Sequence, residues 1–344
     1  MPRFGLRFWI IAAALAVIGL AQESAPYKII RKDKVGGEGR FDYVYADVAG
    51  RRLYIPRMQT DPRVTVFNLD TLAPEGDIPN TGGHGVAVDP KSHHGFASSN
   101  PVAMWDTKTL KLLKTIQVQG GPDGIHLDPF NERIWVFSHR PPNATVIDAK
   151  TGTVVGTVDL GGAPEEAVSN GHGTIYVDLE DKNKIAIVDA KTLAKTGEYD
   201  LAGKGGGPGG LAFDVENHIL FATCHNPATM VILNSDTGKI LDALPISQGT
   251  DGAAFNPNTM EAFSSGGAGE LTVIKENSPT SFSVEQNLET MRGAKTLTLD
   301  TKTNRILMIA AEFGPPPTPP AGAPQRRVFP PILPDSFTIL VAGR

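Results

Sequence analysis

Seven positions in the chain share one recurring place, and most of them carry side chains able to do chemistry. Asp42, His84, Asp123, Glu165, Gly209, Asp251 and Lys295 each stand five residues before an Asp or Asn: Asp47, Asp89, Asp128, Asn170, Asp214, Asn256 and Asp300. Four of the seven are carboxylates, and like charges gathered at one place repel unless something offsets them. His84 and Lys295 supply part of that offset. A divalent cation such as calcium, held by the oxygens of Asp42, Asp123, Glu165 and Asp251, would supply the rest. Such an ion polarises a carbonyl or activates water, which is the chemistry of a lactonase-like hydrolase. Asp is also a common turn residue, so turn formation explains the same acids without any ligand. Two further imidazoles, His139 and His225, follow the second strand of their repeats. With His84 and a carboxylate they make a conceivable zinc or copper set, although no compact ligand motif joins them. Cys224 adjoins His225, but neighbours on a strand point to opposite faces, so the pair reads as a core thiol beside an exposed ring rather than a nucleophile and its base.

The elements that must position these residues form a repeat. Each copy opens on a Gly/Pro-rich turn, and a short apolar strand follows, ending at the Asp or Asn. The clearest copy begins at Gly120-Gly121-Pro122-Asp123-Gly124. It continues through Ile134-Trp135-Val136-Phe137 and Ala144-Thr145-Val146-Ile147-Asp148, and closes with Thr153-Val154-Val155-Gly156-Thr157-Val158. First-strand anchors recur every 39 to 44 residues, and a second set, Asn68, Asp106, Asp148, Asp189 and Asn234, every 38 to 45. Two sets keeping one period argue against chance. Four strands in 40–45 residues is the pattern of a β-propeller. The expected fold is all-β: a seven-bladed β-propeller with four antiparallel strands per blade. The last blade lacks a fourth strand, and Tyr27-Lys28-Ile29-Ile30-Arg31 is an N-terminal strand without a repeat of its own. It is expected to complete the last blade and remove an exposed edge. The anchors themselves are expected to cap their strands through Asx-turns.

Gly120-Gly121-Pro122-Asp123-Gly124, Val146-Ile147-Asp148, Thr151-Gly152 and the Val154–Val158 strand resemble the YVTN-repeat β-propellers, the YncE-like group. The resemblance covers roughly 37–341, with the name-giving tetrapeptide replaced by Leu53-Tyr54-Ile55-Pro56, Ile134-Trp135-Val136-Phe137 and Ile175-Tyr176-Val177-Asp178. It implies an exported scaffold rather than a particular reaction. In a propeller the turn entering each first strand lies at the mouth of the central channel. The loop between second and third strands lies further out on the same face. Asp42, His84, Asp123, Glu165, Asp251 and Lys295 are therefore expected to converge at the mouth, with His139 and His225 beside them and Arg57 and Asp178 in the outer loops.

Composition limits the classes further. The 344 residues include 37 Gly and 27 Pro, a density that favours short strands and tight turns. Arg3 and Arg7 precede an apolar run, Phe8 to Leu20, too short for a comfortable membrane span. Residues 1–21 are expected to be a signal peptide cleaved between Ala21 and Gln22. That would leave a periplasmic or secreted protein with no membrane anchor and a single domain, 22–344. Net charge is −5, and phosphate-backbone binders normally show a basic balance or stripe, so a nucleic-acid partner is not expected. One cysteine excludes an internal disulfide and a Cys-x-x-Cys-His haem site. Nine prolines fall within 315–334, inside an insertion at 314–334 of blade seven. Such density favours polyproline II, a ligand for an aromatic-lined groove on a protein partner, and Arg326-Arg327 gives it a positive tip. The function expected is binding or scaffolding, with a small molecule or peptide at the channel mouth. The alternative is the calcium-type hydrolase.

Overall fold

The computed structural model describes Met1, residues 25–316 and residues 330–344. The expected signal segment, its cleavage site and Arg326-Arg327 lie outside the described residues. Seven four-stranded antiparallel sheets make up the fold, and in six of them the strands follow chain order. Blades one to six span 45–79, 86–116, 122–159, 164–200, 208–245 and 250–289. Blade seven takes Leu297–Asp300, Arg305–Ala310 and Thr338–Gly343 from the C-terminal end, and Lys28–Lys34 as its outer strand. Lys34 pairs with Thr338 and Lys28 with Gly343. The ends are tied to blade six as well. Tyr27 Oη donates to Glu261 Oε2 at 2.7 Å, and Arg344 covers the Tyr27 ring at 4.3 Å. No helix among the described residues is long and apolar enough to cross a membrane.

Alternation along the strands buries apolar side chains on both faces of each sheet, and the buried residues gather into seven clusters, one per blade boundary. Trp135, Phe137, Ile175 and Val177 join blades three and four, for example. Phe41, Ile55, Leu307 and Phe337 join blades one and seven, which closes the ring. The expected Asx-turns are present at six of the seven first-strand anchors, and at Asp47 the side chain accepts instead from the residue three on. Gly50 donates to Asp47 Oδ1 at 2.8 Å, Lys91 to Asp89, Phe130 to Asp128 and His172 to Asn170. Glu216, Asn258 and Lys302 likewise donate, from two residues on, to Asp214, Asn256 and Asp300. The anchors are thus committed to turn structure at the end of the strands away from the mouth.

The first strands of blades three, four, five and six carry register shifts, at Pro122/Ile125, Pro164/Ala167, Pro208/Gly210 and Thr250/Ala253. A bulge re-aims side chains, and these contain Asp123, Glu165, Gly209 and Asp251. The inner strands also approach closely there: a Cβ at Gly124 would sit 2.1 Å from the Glu165 carbonyl oxygen, so only glycine fits. The proline-rich insertion leaves blade seven on a short stem, with Gly314 donating to the Pro331 carbonyl and Leu333 to that of Glu312, both at 2.8 Å.

Candidate functional site at the channel mouth

The structure brings the eight residues singled out in the sequence to one face, where acids and bases alternate around the axis. Lys295 Nζ lies 2.8 Å from Asp42 Oδ1 and contacts Asp251 Oδ2 on its other side. Asp42 Oδ2 is 2.7 Å from His84 Nδ1, which is 3.2 Å from Asp123 Oδ1. His139 Nε2 stands 3.6 Å from Asp123 Oδ2 and 3.1 Å from Glu165 Oε1. His225 Nε2 is 3.6 Å from Asp251 Oδ1. The side chains in this chain of contacts keep between 16 and 36% of their exposure, so a ligand entering the mouth reaches them. Backbone bonds between neighbouring blades hold the ring: Asp251 N–H to the Lys295 carbonyl at 2.9 Å, and Tyr43 N–H to that of His84 at 3.1 Å.

The offset to the converging acids is therefore internal, supplied by Lys295, His84 and His139. The titration behaviour follows. A hydrogen bond to Asp42 outweighs burial and raises His84. The hydrogen bond to Glu165 outweighs burial at His139 and carries it to about 9. Burial raises Asp123 to about 6, against the opposing pull of His84. At Asp42 burial is overcome by His84 and Lys295, which hold its carboxyl below the usual range. Burial opposes the Lys295 charge, but Asp42 and Asp251 keep it firmly cationic. Asp251 remains raised, because burial there exceeds what Lys295 returns.

Two groups of side chains have donor atoms within 4.8 Å of one another: Asp42, His84 and Asp123, and Asp123, His139 and Glu165. Asp123 belongs to both. Each group includes an imidazole, whereas the calcium-type set expected from sequence was four carboxylates; the three-imidazole set is not gathered either, since His84 and His139 fall in different groups and His225 in neither. Mixed nitrogen and oxygen donors suit zinc or another first-row divalent ion better than calcium, which favours oxygen.

Three residues at the mouth were not singled out. Tyr43 crosses the axis from blade one, and its hydroxyl donates to Glu165 Oε2 at 2.9 Å. Glu166 turns inward beside Glu165, accepts the Leu211 N–H at 2.9 Å, and is pushed up to about 8 by burial. Thr296 Oγ1 donates to the Asp42 carbonyl at 2.6 Å. Tyr43 and Glu166 directly follow Asp42 and Glu165; Glu166 lies in the bulge between Pro164 and Ala167, where ordinary alternation does not hold, and Tyr43 lies just before the strand Tyr45–Asp47. Asp178, placed in the sequence among outer-loop residues, is fully buried. Its Oδ1 accepts the Glu166 N–H at 2.6 Å, which makes it a brace beneath the mouth. Cys224 is buried and its thiol pushed up to about 12 by desolvation, consistent with a core residue.

No family model matches the chain, and no curated protein matches it in sequence. Among solved structures, a chain of the "Crystal Structure of Mitotic Checkpoint Complex" superposes with a TM-score of 0.68 at 12% identity, over 90% of this chain and 95% of that one. At that identity the likeness extends to the seven-bladed fold, and the residues of the mouth have to be read from their own chemistry.

Proposed function

We propose that this is an exported binding propeller whose channel mouth takes a small molecule or peptide, with Asp42, His84, Asp123, His139 and Glu165 at the centre of the site and Asp251, Lys295 and His225 at its flank. The observation that carries this reading is the position of Asp123 between two imidazoles. Each oxygen of one carboxylate faces a different ring, and each ring has a second carboxylate behind it. Such a string of partly exposed charges of alternating sign exchanges its internal pairs for a ligand's charges without leaving a buried charge uncompensated. A divalent first-row cation fits the same donors once the two rings are deprotonated. Calorimetric titration of zinc and manganese, with calcium for comparison, into wild type and Asp123→Asn tests this directly. The expected result is saturable binding of zinc or manganese, weakened at least ten-fold by Asp123→Asn. No binding in wild type, or equal binding in the variant, removes the cation from the reading.

A second reading, a metal-dependent hydrolase of lactones or esters, is favoured by the same two donor groups. A cation there would polarise a carbonyl, and Tyr43, whose hydroxyl donates to Glu165, stands beside the second donor group. Hydrolysis of a lactone panel that appears only with added metal, and disappears with Asp123→Asn, would move the protein into that class.

A further inference from the structure

A groove of about 500 Å³ lies away from the mouth acids, between the outer strand of blade seven and the outer strands of blade one. This is ample room for a small molecule. One wall is apolar, with Val35, Phe67 and Leu72; the other carries Lys34, Arg57 and Arg63. The acids at its edge are already engaged. Asp33 is paired with Arg31, and Asp77 lies 3.6 Å from Arg63 Nε. Arg63 has a second partner in Asp61, at 3.0 Å.

Arg57 has no such partner among the described residues. It is 1% exposed and lies over the Phe337 ring, 3.8 Å from its centre. Among the described residues its Nη2 reaches only the Gly36 carbonyl, at 3.4 Å. Nε and Nη1 have no hydrogen-bond partner among the described residues. Burial, then the neighbouring charge of Arg63, lowers the guanidinium to about 10, so it stays charged at neutral pH. Asp77 exerts some pull on it from a distance, but a buried cation with no acid in contact is costly, and proteins normally pair it. A medium-length apolar side chain would fill this position at the end of strand Arg52–Arg57 without that cost. The chain over the groove is also shaped to the cationic wall. Gly37 has φ +88°, and a Cβ there would stand 3.1 Å from Arg63 Nη2.

We propose that this groove is an anion site that takes a small organic carboxylate. The carboxylate end is drawn to Arg57 and Arg63, and the apolar body lies along Val35, Phe67 and Leu72. A planar guanidinium matches the geometry of a carboxylate, and the missing acid beside Arg57 is the group the ligand brings. The site is separate from the mouth and stands whether or not the mouth binds anything.

Ligand-observed NMR or calorimetry with benzoate as the probe tests it, with benzyl alcohol as the uncharged counterpart and phenyl phosphate as the competing anion. Benzoate is expected to bind saturably and at least ten-fold more tightly than benzyl alcohol. Arg57→Met is expected to weaken benzoate at least ten-fold, and Arg63→Gln several-fold, while Asp123→Asn at the mouth leaves it unchanged. Arg63→Gln gives the answer should Arg57→Met fail to fold. The proposal is overturned if benzoate binds no better than benzyl alcohol, if both arginine variants bind it as wild type does, or if phenyl phosphate is the tighter ligand.

Discussion

A Cβ placed on Gly209 would stand 2.8 Å from Nε2 of His225. Gly209 is the one ring position without a side chain, and the imidazole from the outer loop of the same blade occupies that space, 3.6 Å from Asp251. The vacancy and the histidine are two halves of one arrangement. Gly209→Ala is therefore expected to push His225 off Asp251 while leaving the fold intact. The only contact under 3 Å is with the far end of a flexible side chain, and loss of a glycine in the unfolded chain offsets some of the strain. Melting should shift by an amount corresponding to less than about 1 kcal/mol. The His225 ring resonances should move at the same time. A large loss of stability, or an unchanged His225, would show that the two are not coupled.

His139 sets a pH dependence at the mouth. Its folded value is about 9, raised first by the hydrogen bond to Glu165, above the ordinary histidine value of about 6.5. A group raised on folding contributes stability that is fully present below its unfolded value and lost as pH rises through its folded value. The contribution of His139 is thus complete below about pH 6.5 and gone above about pH 9. Glu165→Gln removes the charged partner and should bring His139 back toward its ordinary value. Urea midpoints of metal-free protein at pH 6 and pH 9 should then differ less in the variant than in wild type, with the His139 titration followed by NMR. Equal differences in both proteins would place the stabilising partner elsewhere.

The period of the anchors made the fold legible because each Asp or Asn has a local job, accepting backbone N–H groups from the turn that follows it. A residue bound to its own neighbours signals its role without knowledge of distant chain. Blade six gave no third-strand anchor, because there Glu270–Ser278 and Ser281–Glu289 extend into a longer hairpin that turns without one. The convergence of Asp42, His84, Asp123, Glu165, Asp251 and Lys295 was legible for the same reason: one repeat position becomes a ring once the sheets close. The pairing within the ring was not. Whether Lys295 serves Asp42, Asp251 or both depends on side-chain reach across blade boundaries, and the inward turn of Glu166 depends on a bulge between Pro164 and Ala167. The lone guanidinium of Arg57 was equally hidden, since loneliness is a property of neighbours more than 200 residues away, such as Phe337.

Closure of the ring rests on seven residues from the other end of the chain. Lys28–Lys34 covers the edge of Thr338–Gly343, and Tyr27 fastens it to Glu261 and Arg344. Without residues 22–34, that edge would present unpaired N–H and C=O groups able to recruit another chain. The buried phenol of Tyr27 would also leave Glu261, 1% exposed, with Arg344 as its remaining charged partner. The shortened protein is expected to lose roughly 5 kcal/mol or more, since a whole strand and its packing are removed, and to self-associate on size-exclusion chromatography. A synthetic peptide covering 25–34 should restore the elution volume of the full protein by adding back as a strand, whereas a scrambled peptide of the same composition should not. A shortened chain that keeps the association state of the full protein and melts within about 2 °C of it would mean that the three remaining strands of blade seven close the ring unaided.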